Sequence, residues 1–411
     1  MEASMMQATI ITLGEELLSG QTVNTNLAHI AQALKSIGIE TRRAVTIGDS
    51  EPMIQTELKR LDTPLIILTG GLGPTHDDLT KEGVCRYYGL PLVLHHESLS
   101  RIRNYFAKLG KDMADSNTKQ AYFPADAIIL PNRFGTAPGA IFEAEERTIV
   151  LLPGPPSEMQ PMFVQVLDYL QGRFSTDPRH EAGYLLVGIG ESDMESKLQA
   201  FYAEHADVDV ASYANLAEIR YLFKSDNPEA LEKAMDAFRL IADRYIVGPH
   251  DKTLEQRVVE TLMHQEKTIS FAESCTAGLA AGRLVNVPDA SKVFRESYVL
   301  YDNASKMKQL GVHGTVIERF GAVSDACVYE LAYHLAQRTD CDIALSISGI
   351  AGPSGGTAVK PVGTVYFGVH HEGKTKTRHK VFSGDRQMIR HKAVVHGLYL
   401  VLKALMHEDT D

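Results

Sequence analysis

The sequence predicts an α/β protein in three successive parts. These are a three-layer α/β domain over residues 1–172, a small α+β module over 180–250 and an α/β domain over 253–411. Three features point there. Apolar, β-branched runs alternate with helical periodicity through the first part. Residues 64–69 are almost continuously apolar, as a strand covered on both faces requires. Residues 171–182 read as a linker, with Gly172, Ser175, Thr176, Asp177 and Pro178.

Residues 9–13 form the first predicted strand. Asn24 caps a helix with Leu27, Ile30, Leu34 and Ile37 on one face, and Gly38 ends it. Residues 43–47 are the next strand. Ser50 caps a helix with Pro52 in its first turn and Ile54, Leu58 and Leu61 inward. Strand 64–69 then runs into a glycine loop, Gly70, Gly71, Leu72, Gly73, Pro74, Thr75, His76, Asp77, Asp78. The loop is neither a Walker loop nor a dinucleotide G-x-G-x-x-G. Its glycines let backbone N–H groups approach an anion just before a helix. Asp77 and Asp78 are hard oxygen donors for Mg²⁺ or a similar ion beside bound phosphates. Glu15 and Glu16 follow the first strand. Residues 117–120 carry Asn117 and Lys119, and residues 151–158 form a strand, a rigid turn at Gly154 and a helix start.

In the middle module, residues 184–187 and 218–223 read as strands, Ser192 opens a helix, and residues 228–245 form a helix with Leu231, Ala234, Met235, Phe238 and Ile241 inward. In the last part a strand at 268–271 leads to Ala272, Glu273, Ser274, Cys275, Thr276, Ala277 and Gly278, followed by a small-residue helix with Ala281 and Gly282. Ser274 and Thr276 are both helix-capping types. A serine at such a junction is either a plain N-cap, the commoner case, or a nucleophile beside N–H groups that favour negative charge. Ser324 caps a helix with Val328, Leu331 and Leu335 inward. Strands follow at 342–348, 363–369 and 377–382. Ser383 caps a final helix with Val394, Leu398, Val401 and Leu405 on one face.

Composition limits the partners. With 41 Lys and Arg against 52 Asp and Glu, the net charge of −11 argues against general nucleic-acid binding. Cys85, Cys275, Cys327 and Cys341 are scattered, with no metal spacing and no disulfide framework, which fits a reducing compartment. Residues 1–7 lack the pattern of a signal peptide, and no apolar run is long enough to span a bilayer. A cytoplasmic protein without membrane association is expected.

Several motifs arrive in order after Ser274: residues 297–306, 346–353 and 360–365. Together they resemble the C-terminal domain of the CinA family (competence/damage-inducible protein A), with the match running over about 253–406. Residues 8–170 resemble its N-terminal domain, which shares the fold of the molybdopterin-binding MoaB/MogA proteins. The resemblance implies a C-terminal nicotinamide mononucleotide deamidase that needs no cofactor. It also implies an N-terminal ADP-ribose pyrophosphatase that needs a divalent ion (Mg, Mn or Co).

For the deamidase the resemblance implies a Ser274–Lys306 pair helped by Tyr301. Cys275 competes with Ser274 on chemical grounds, because thiolate is the stronger nucleophile. A lysine acts as base only if burial or nearby positive charge lowers its pKa. Expected substrate contacts are Thr276, Asn303, Gly349, Ala351, Gly352 and Gly363. The backbone over 349–352 is a candidate for oxyanion or phosphate N–H groups, and Arg386 and Arg390 for the nucleotide phosphate. Ala277 stands where the family commonly has glycine.

For the pyrophosphatase the implied contacts are Asn24, Gly70, Gly71, Gly73, Thr75, Asn117, Lys119 and Gly154, with Asp77, Asp78 and Glu16 on the metal. Glu15 replaces the family's usual threonine and adds a negative charge. The family's middle module is of KH type. Here residues 179–248 carry seven Lys/Arg against thirteen Asp/Glu, and residues 188–191 are not Gly-X-X-Gly. A spacer or dimer element is therefore expected, with no nucleic acid bound, and a homodimer is the expected assembly. The competing reading is a non-enzymatic competence or DNA-damage accessory, or a chain with only one active domain.

Overall fold

The computed structural model describes residues 6–174 and 180–407. Two compact units are present, Met1–Arg179 and His180–Asp411.

The first unit contains strands β1 (Gln7–Leu13), β2 (Glu40–Ile47), β3 (Leu65–Thr69), β4 (Val93–Leu94), β5 (Tyr122–Phe123), β6 (Ile128–Leu130), β7 (Gly139–Ala144) and β8 (Arg147–Leu152). Its helices are α1 (Glu15–Leu18), α2 (Thr25–Ser36), α3 (Glu51–Leu58), α4 (Thr80–Tyr87), α5 (His96–Lys108) and α6 (Pro156–Arg173). A six-stranded sheet runs in the order β2-β1-β3-β8-β7-β6. Its first four strands are parallel, and β7 and β6 turn back antiparallel. Adjacent residues of β1 serve opposite faces. Ile10 packs with Ile30, Leu34, Met159 and Phe163, whereas Ile11 packs with Ile54, Leu58 and Val84. This two-residue alternation under two helix layers gives the expected three-layer sandwich. Asn24 caps α2 as predicted, accepting from Leu27 N at 3.1 Å. Helix α5 and strands β4 to β7 were not among the predicted elements. Helix α6 continues to Arg173, beyond the expected start of the linker, and residues 175–179 of that linker lie outside the described residues.

The second unit contains a four-stranded antiparallel sheet, β10-β11-β9-β12, built from β9 (His180–Val187), β10 (Asp209–Asn215), β11 (Glu218–Ser225) and β12 (Ile246–Pro249). Helices α7 (Glu191–Lys197), α8 (Gln199–Glu204) and α9 (Pro228–Ala242) accompany it. A five-stranded sheet follows in the order β14-β13-β15-β16-β17. It uses β13 (Ile269–Glu273), β14 (Phe294–Val299), β15 (Ile343–Gly349), β16 (Thr364–His371) and β17 (Lys374–Val381). Helices α10 (Leu254–His264), α11 (Leu279–Val285) and α15 (Arg386–Leu405) bury Val258, Leu284, Leu398 and Val401 on one face. Helices α12 (Asn303–Leu310), α13 (Gly314–Phe320) and α14 (Asp325–Thr339) close the other, with Leu310, Leu331 and Leu335.

Leu185, Val187 and Val247 of the small sheet enter the same core as Val258 and Ile347, so residues 180–250 share a core with 253–405. Arg283 of α11 fastens the same seam, binding Glu218 of β11 at 2.9 Å and Glu255 of α10 at 2.7 Å. Some cap assignments shift. Asp385 rather than Ser383 caps α15, and Gly190 rather than Ser192 precedes α7.

Candidate active sites

Strand β13 lies between parallel neighbours β14 and β15, so its carboxyl end opens where α/β sheets bind ligands. Ser274 is the first residue beyond it, and its N–H extends the pairing to Ile347 O at 2.9 Å. Ser274 does not cap a helix. The chain turns through 274–278 and α11 begins only at Leu279, with Gly278 at its N-cap. The turn needs left-handed backbone at two successive residues, Ala277 (φ 51°) and Gly278 (φ 89°). Glycine is suited to both, which is the physical content of the alanine-for-glycine difference at 277. Below the turn sits Glu273, fully buried. Its carboxylate accepts 3.0 Å bonds from the N–H groups of Gly278, Ala280 and Ala281, and a 3.4 Å bond from Ser297 Oγ. The carboxylate thereby fills the role of an N-terminal cap for α11.

Lys306, on α12, is 1 % exposed. Its Nζ donates to three main-chain carbonyls, Leu300 (2.8 Å), Tyr301 (3.3 Å) and Asp302 (3.3 Å). No carboxylate hydrogen-bonds it among the described residues. Burial holds its pKa below the usual lysine value of 10.5. The expected help from Arg386 or Arg390 does not figure among the causes of that shift.

A cavity of about 200 Å³ brings together Ser274, Tyr301, Asn303, Lys306, Gly349, Ala351 and Arg386. Arg386 reaches Tyr301 Oη at 2.9 Å and Gly352 O at 2.8 Å. Among the described residues no hydrogen bond joins Ser274 Oγ to Lys306 Nζ. Other expected contacts lie off this cavity. Arg390 is spent on main chain, donating to the carbonyls of Cys275 and Thr276 at 2.9 Å each. Thr276 is fully buried, and its Oγ1 has no partner. Gly363 serves packing, since a Cβ there would fall 2.0 Å from Phe382 O. Within 349–352 the N–H of Ile350 is already given to Thr364 O. Ile350 is therefore not a candidate donor. Cys275 is buried, and its thiol is pushed up to about 12, which removes the thiolate at neutral pH.

In the first unit a cavity of about 340 Å³ lies at the carboxyl ends of β1, β3 and β8. It is lined by Glu16, Asp49, Gly70, Gly71, Gly73, Asp77, Asp78, Gly154 and Glu158, among others. The glycines are required by crowding: a Cβ at Gly71 would meet Thr80 Oγ1 at 2.2 Å, and one at Gly73 would meet Asp78 Oδ2 at 2.5 Å. Asp78 Oδ2 accepts from both the N–H and the hydroxyl of Thr75. Lys119 Nζ binds the carbonyls of Thr75 and Asp78, so it ties the loop from outside. Asn24 Nδ2 is held by Thr12 Oγ1 at 2.9 Å, and buried Asn117 binds Gln120 at 3.1 Å. Thr75, Lys119, Asn24 and Asn117 are therefore not on the cavity wall.

Sequence reading missed Asp49 and Glu158. Asp49 accepts from Glu15 N at 3.2 Å, and its pKa is raised by burial and by the nearby negative charge of Glu16 and Asp77. Glu158 accepts from Asn132 Nδ2 at 2.6 Å. Glu15 itself is off the wall: its carboxylate lies over Gly48, where a Cβ would come within 2.2 Å of Oε1.

Fold and cavities together define an α/β protein with two separate sites. One is a glycine loop rimmed by carboxylates, the other a serine sharing a cavity with a buried lysine. Residues 251–405 match the family described as CinA C-terminal domain, and residues 9–172 that described as probable molybdopterin binding domain. A CinA-like protein of Dictyoglomus thermophilum is 40% identical over 411 residues, covering 98% of this chain and 100% of that one. A CinA-like protein of Kosmotoga olearia is 40% identical over 412 residues, covering 98% and 99%. A solved CinA superfamily protein from Klebsiella pneumoniae is 32% identical over 38% of this chain and 96% of its own, with a TM-score of 0.37. The chain belongs to the CinA family.

The turn yields a prediction. A non-glycine residue in left-handed backbone costs about 1–2 kcal/mol, partly offset by the larger unfolded-state entropy of glycine. Ala277→Gly should therefore stabilise the second unit by about 0.5–1 kcal/mol, read as a higher denaturant midpoint at unchanged slope. A lower midpoint would show that the left-handed φ is not the controlling feature.

Proposed function

We propose that the second unit hydrolyses the carboxamide of nicotinamide mononucleotide to nicotinate mononucleotide and ammonia. The observation that carries this reading is the buried Lys306. It has only neutral carbonyl partners and lines one cavity with Ser274, Tyr301 and Arg386. Desolvation favours its neutral amine, which is the form a general base needs. Ser274 Oγ adds to the amide carbon while its proton passes to Lys306 Nζ. The ammonium then returns that proton to the departing nitrogen, and ammonia leaves an ester on Ser274. Water, deprotonated by Lys306, attacks the ester, and the proton goes back to Ser274 as nicotinate mononucleotide departs. Tyr301, held by Arg386, borders the reacting group and orients it. The N–H groups of the 349–352 stretch other than that of Ile350, which Thr364 O takes, would receive the oxyanion.

For the first unit the reading is hydrolysis of ADP-ribose to AMP and ribose 5-phosphate, with a divalent ion. The residues present suit such an ion. Glu16, Asp49, Asp77 and Asp78 converge on one cavity. Lys119 at the loop hydrogen-bonds carbonyls rather than these carboxylates, which keep their oxygens for an ion. Asp77, Asp78 and Glu16 would hold the ion, with Asp49 close behind. Bound there, it would supply charge neutralisation and a water of lowered pKa. The glycine loop presents N–H groups to the phosphates, and Thr75 fixes the rotamer of Asp78.

Ammonia release from nicotinamide mononucleotide tests the first reading. Ser274→Ala should abolish it while leaving AMP release from ADP-ribose intact. Lys306→Arg should lose it almost as completely, because guanidinium stays protonated. The sign of the pH dependence follows from the lowered lysine pKa: protonated Lys306 is inactive. The wild-type rate therefore climbs about tenfold per pH unit and levels off below the ordinary 10.5. A rate independent of pH, or full turnover by Lys306→Arg, would remove lysine as the base.

AMP release with and without chelator tests the second reading. Chelator should stop it, and Asp78→Ala should lower it by at least about tenfold, on the scale of a displaced metal ligand. Undiminished activity in chelator would contradict the metal assignment.

A further inference from the structure

A second set of metal-ligating side chains lies in the second unit, outside the serine–lysine cavity. Glu330 and His334 are one turn apart on α14 and project from the same face. His313 stands at the N-cap of α13, directly opposite. One ligand atom from each of the three residues falls within 4.8 Å of the others. The carboxylate is already oriented. Glu330 Oε2 accepts from the main-chain N–H of His313 at 2.8 Å, and Oε1 faces His313 Nδ1 at 3.0 Å. Outer hydrogen bonds of this kind fix ligating carboxylates in metal sites. Among the described residues neither nitrogen of His334 is engaged in a hydrogen bond, so the third donor is unspent.

We infer that His313, Glu330 and His334 form a binding site for a late first-row divalent cation of the zinc class. Two imidazoles and one carboxylate are the donor set of three-ligand zinc sites, with a fourth position open to water. Metal–ligand bonds of about 2.0–2.2 Å bring ligand atoms to about 3.4 Å apart in a tetrahedron. The present spacing of up to 4.8 Å must shorten for all three to ligate, and the exposed side chain of His313, 66% accessible, has room to rotate from its contact with Glu330. A simple His313–Glu330 ion pair would account for two of the three residues, and leaves His334 with ring contacts to Tyr333 and His313 but, among the described residues, no polar partner. The ion would join α14 to the segment directly after α12, the helix that carries Lys306. That segment already returns to α12 through Val312 N and Lys306 O at 3.4 Å.

The test uses the full-length chain, stripped with chelator and titrated with Co²⁺. Low-coordinate cobalt with nitrogen ligands absorbs strongly in the visible, whereas an all-oxygen octahedral site such as that of the first unit absorbs weakly. Excess Co²⁺ should give the strong bands with the amplitude of one site, and Zn²⁺ should displace them. Glu330→Gln, which keeps an acceptor for His313 N, and both His334→Ala and His334→Gln should lower cobalt affinity at least about tenfold. Asp78→Ala should leave the bands unchanged. Circular dichroism of each variant checks that the fold is retained. Absence of the bands in the wild type, their persistence at full affinity in the His334 variants, or their loss in Asp78→Ala would overturn the assignment.

Discussion

The buried carboxylate of Glu273 is the constraint on which the second unit depends. A strand that ends between two parallel neighbours hands its chain to a helix within a few residues here. The first N–H groups of that helix then have no partners. Glu273 satisfies three of them at once, and does so from the last residue of β13 itself. The intervening residues 274–278 are forced into a tight loop above the carboxylate, with two left-handed residues at its end. Ser274 is thereby fixed at the mouth of the sheet by bonds that do not involve its own side chain. Arg390 closes the same loop from the other side through the carbonyls of Cys275 and Thr276. Hydrogen bonds from two charged side chains to main chain thus hold the loop, and among the described residues the serine hydroxyl makes no hydrogen bond.

Lys306 is held by a different device. Its ammonium is surrounded by carbonyl oxygens rather than by a carboxylate. Carbonyl dipoles solvate the ammonium less strongly than an ion pair does, so the cost of burial is only partly offset and the neutral form gains. The first unit applies the opposite electrostatics at a similar place in its sheet. There the carboxylates of Glu16, Asp49, Asp77 and Asp78 gather around a glycine loop, and the nearest lysine braces the loop from behind. One cavity is organised around a buried lysine and the other around excess negative charge.

Much of this was legible in the sequence because strands buried on both faces and capped helices leave strong local marks. Residues 64–69, the Asn24 and Ser324 caps and the glycine loop all lie where their patterns place them. Ser274, Tyr301, Asn303 and Lys306 fall in one cavity although 32 residues of chain separate the first from the last. Three kinds of feature were not legible. Long-range partners such as Asp49 and Glu158 carry no local signature, because only the sheet order brings them to the glycine loop. Arg390 and Lys119 read as ligand cations but are consumed by main-chain carbonyls, and sequence alone cannot show that competition. Ser274 looked like a cap because serine is a capping type, whereas a carboxylate one residue earlier does the capping. A glutamate ending an apolar strand just before Ser-Cys-Thr was the available signal.

The central claim is that Ser274, positioned by the Glu273 turn, is the atom that attacks the substrate. Mass spectrometry after rapid acid quench of the chain with nicotinamide mononucleotide tests it most directly. The account predicts a transient nicotinoyl-nucleotide ester on the peptide that contains Ser274, on the serine oxygen. An adduct on Cys275, or turnover with no covalent adduct at any time, would contradict it.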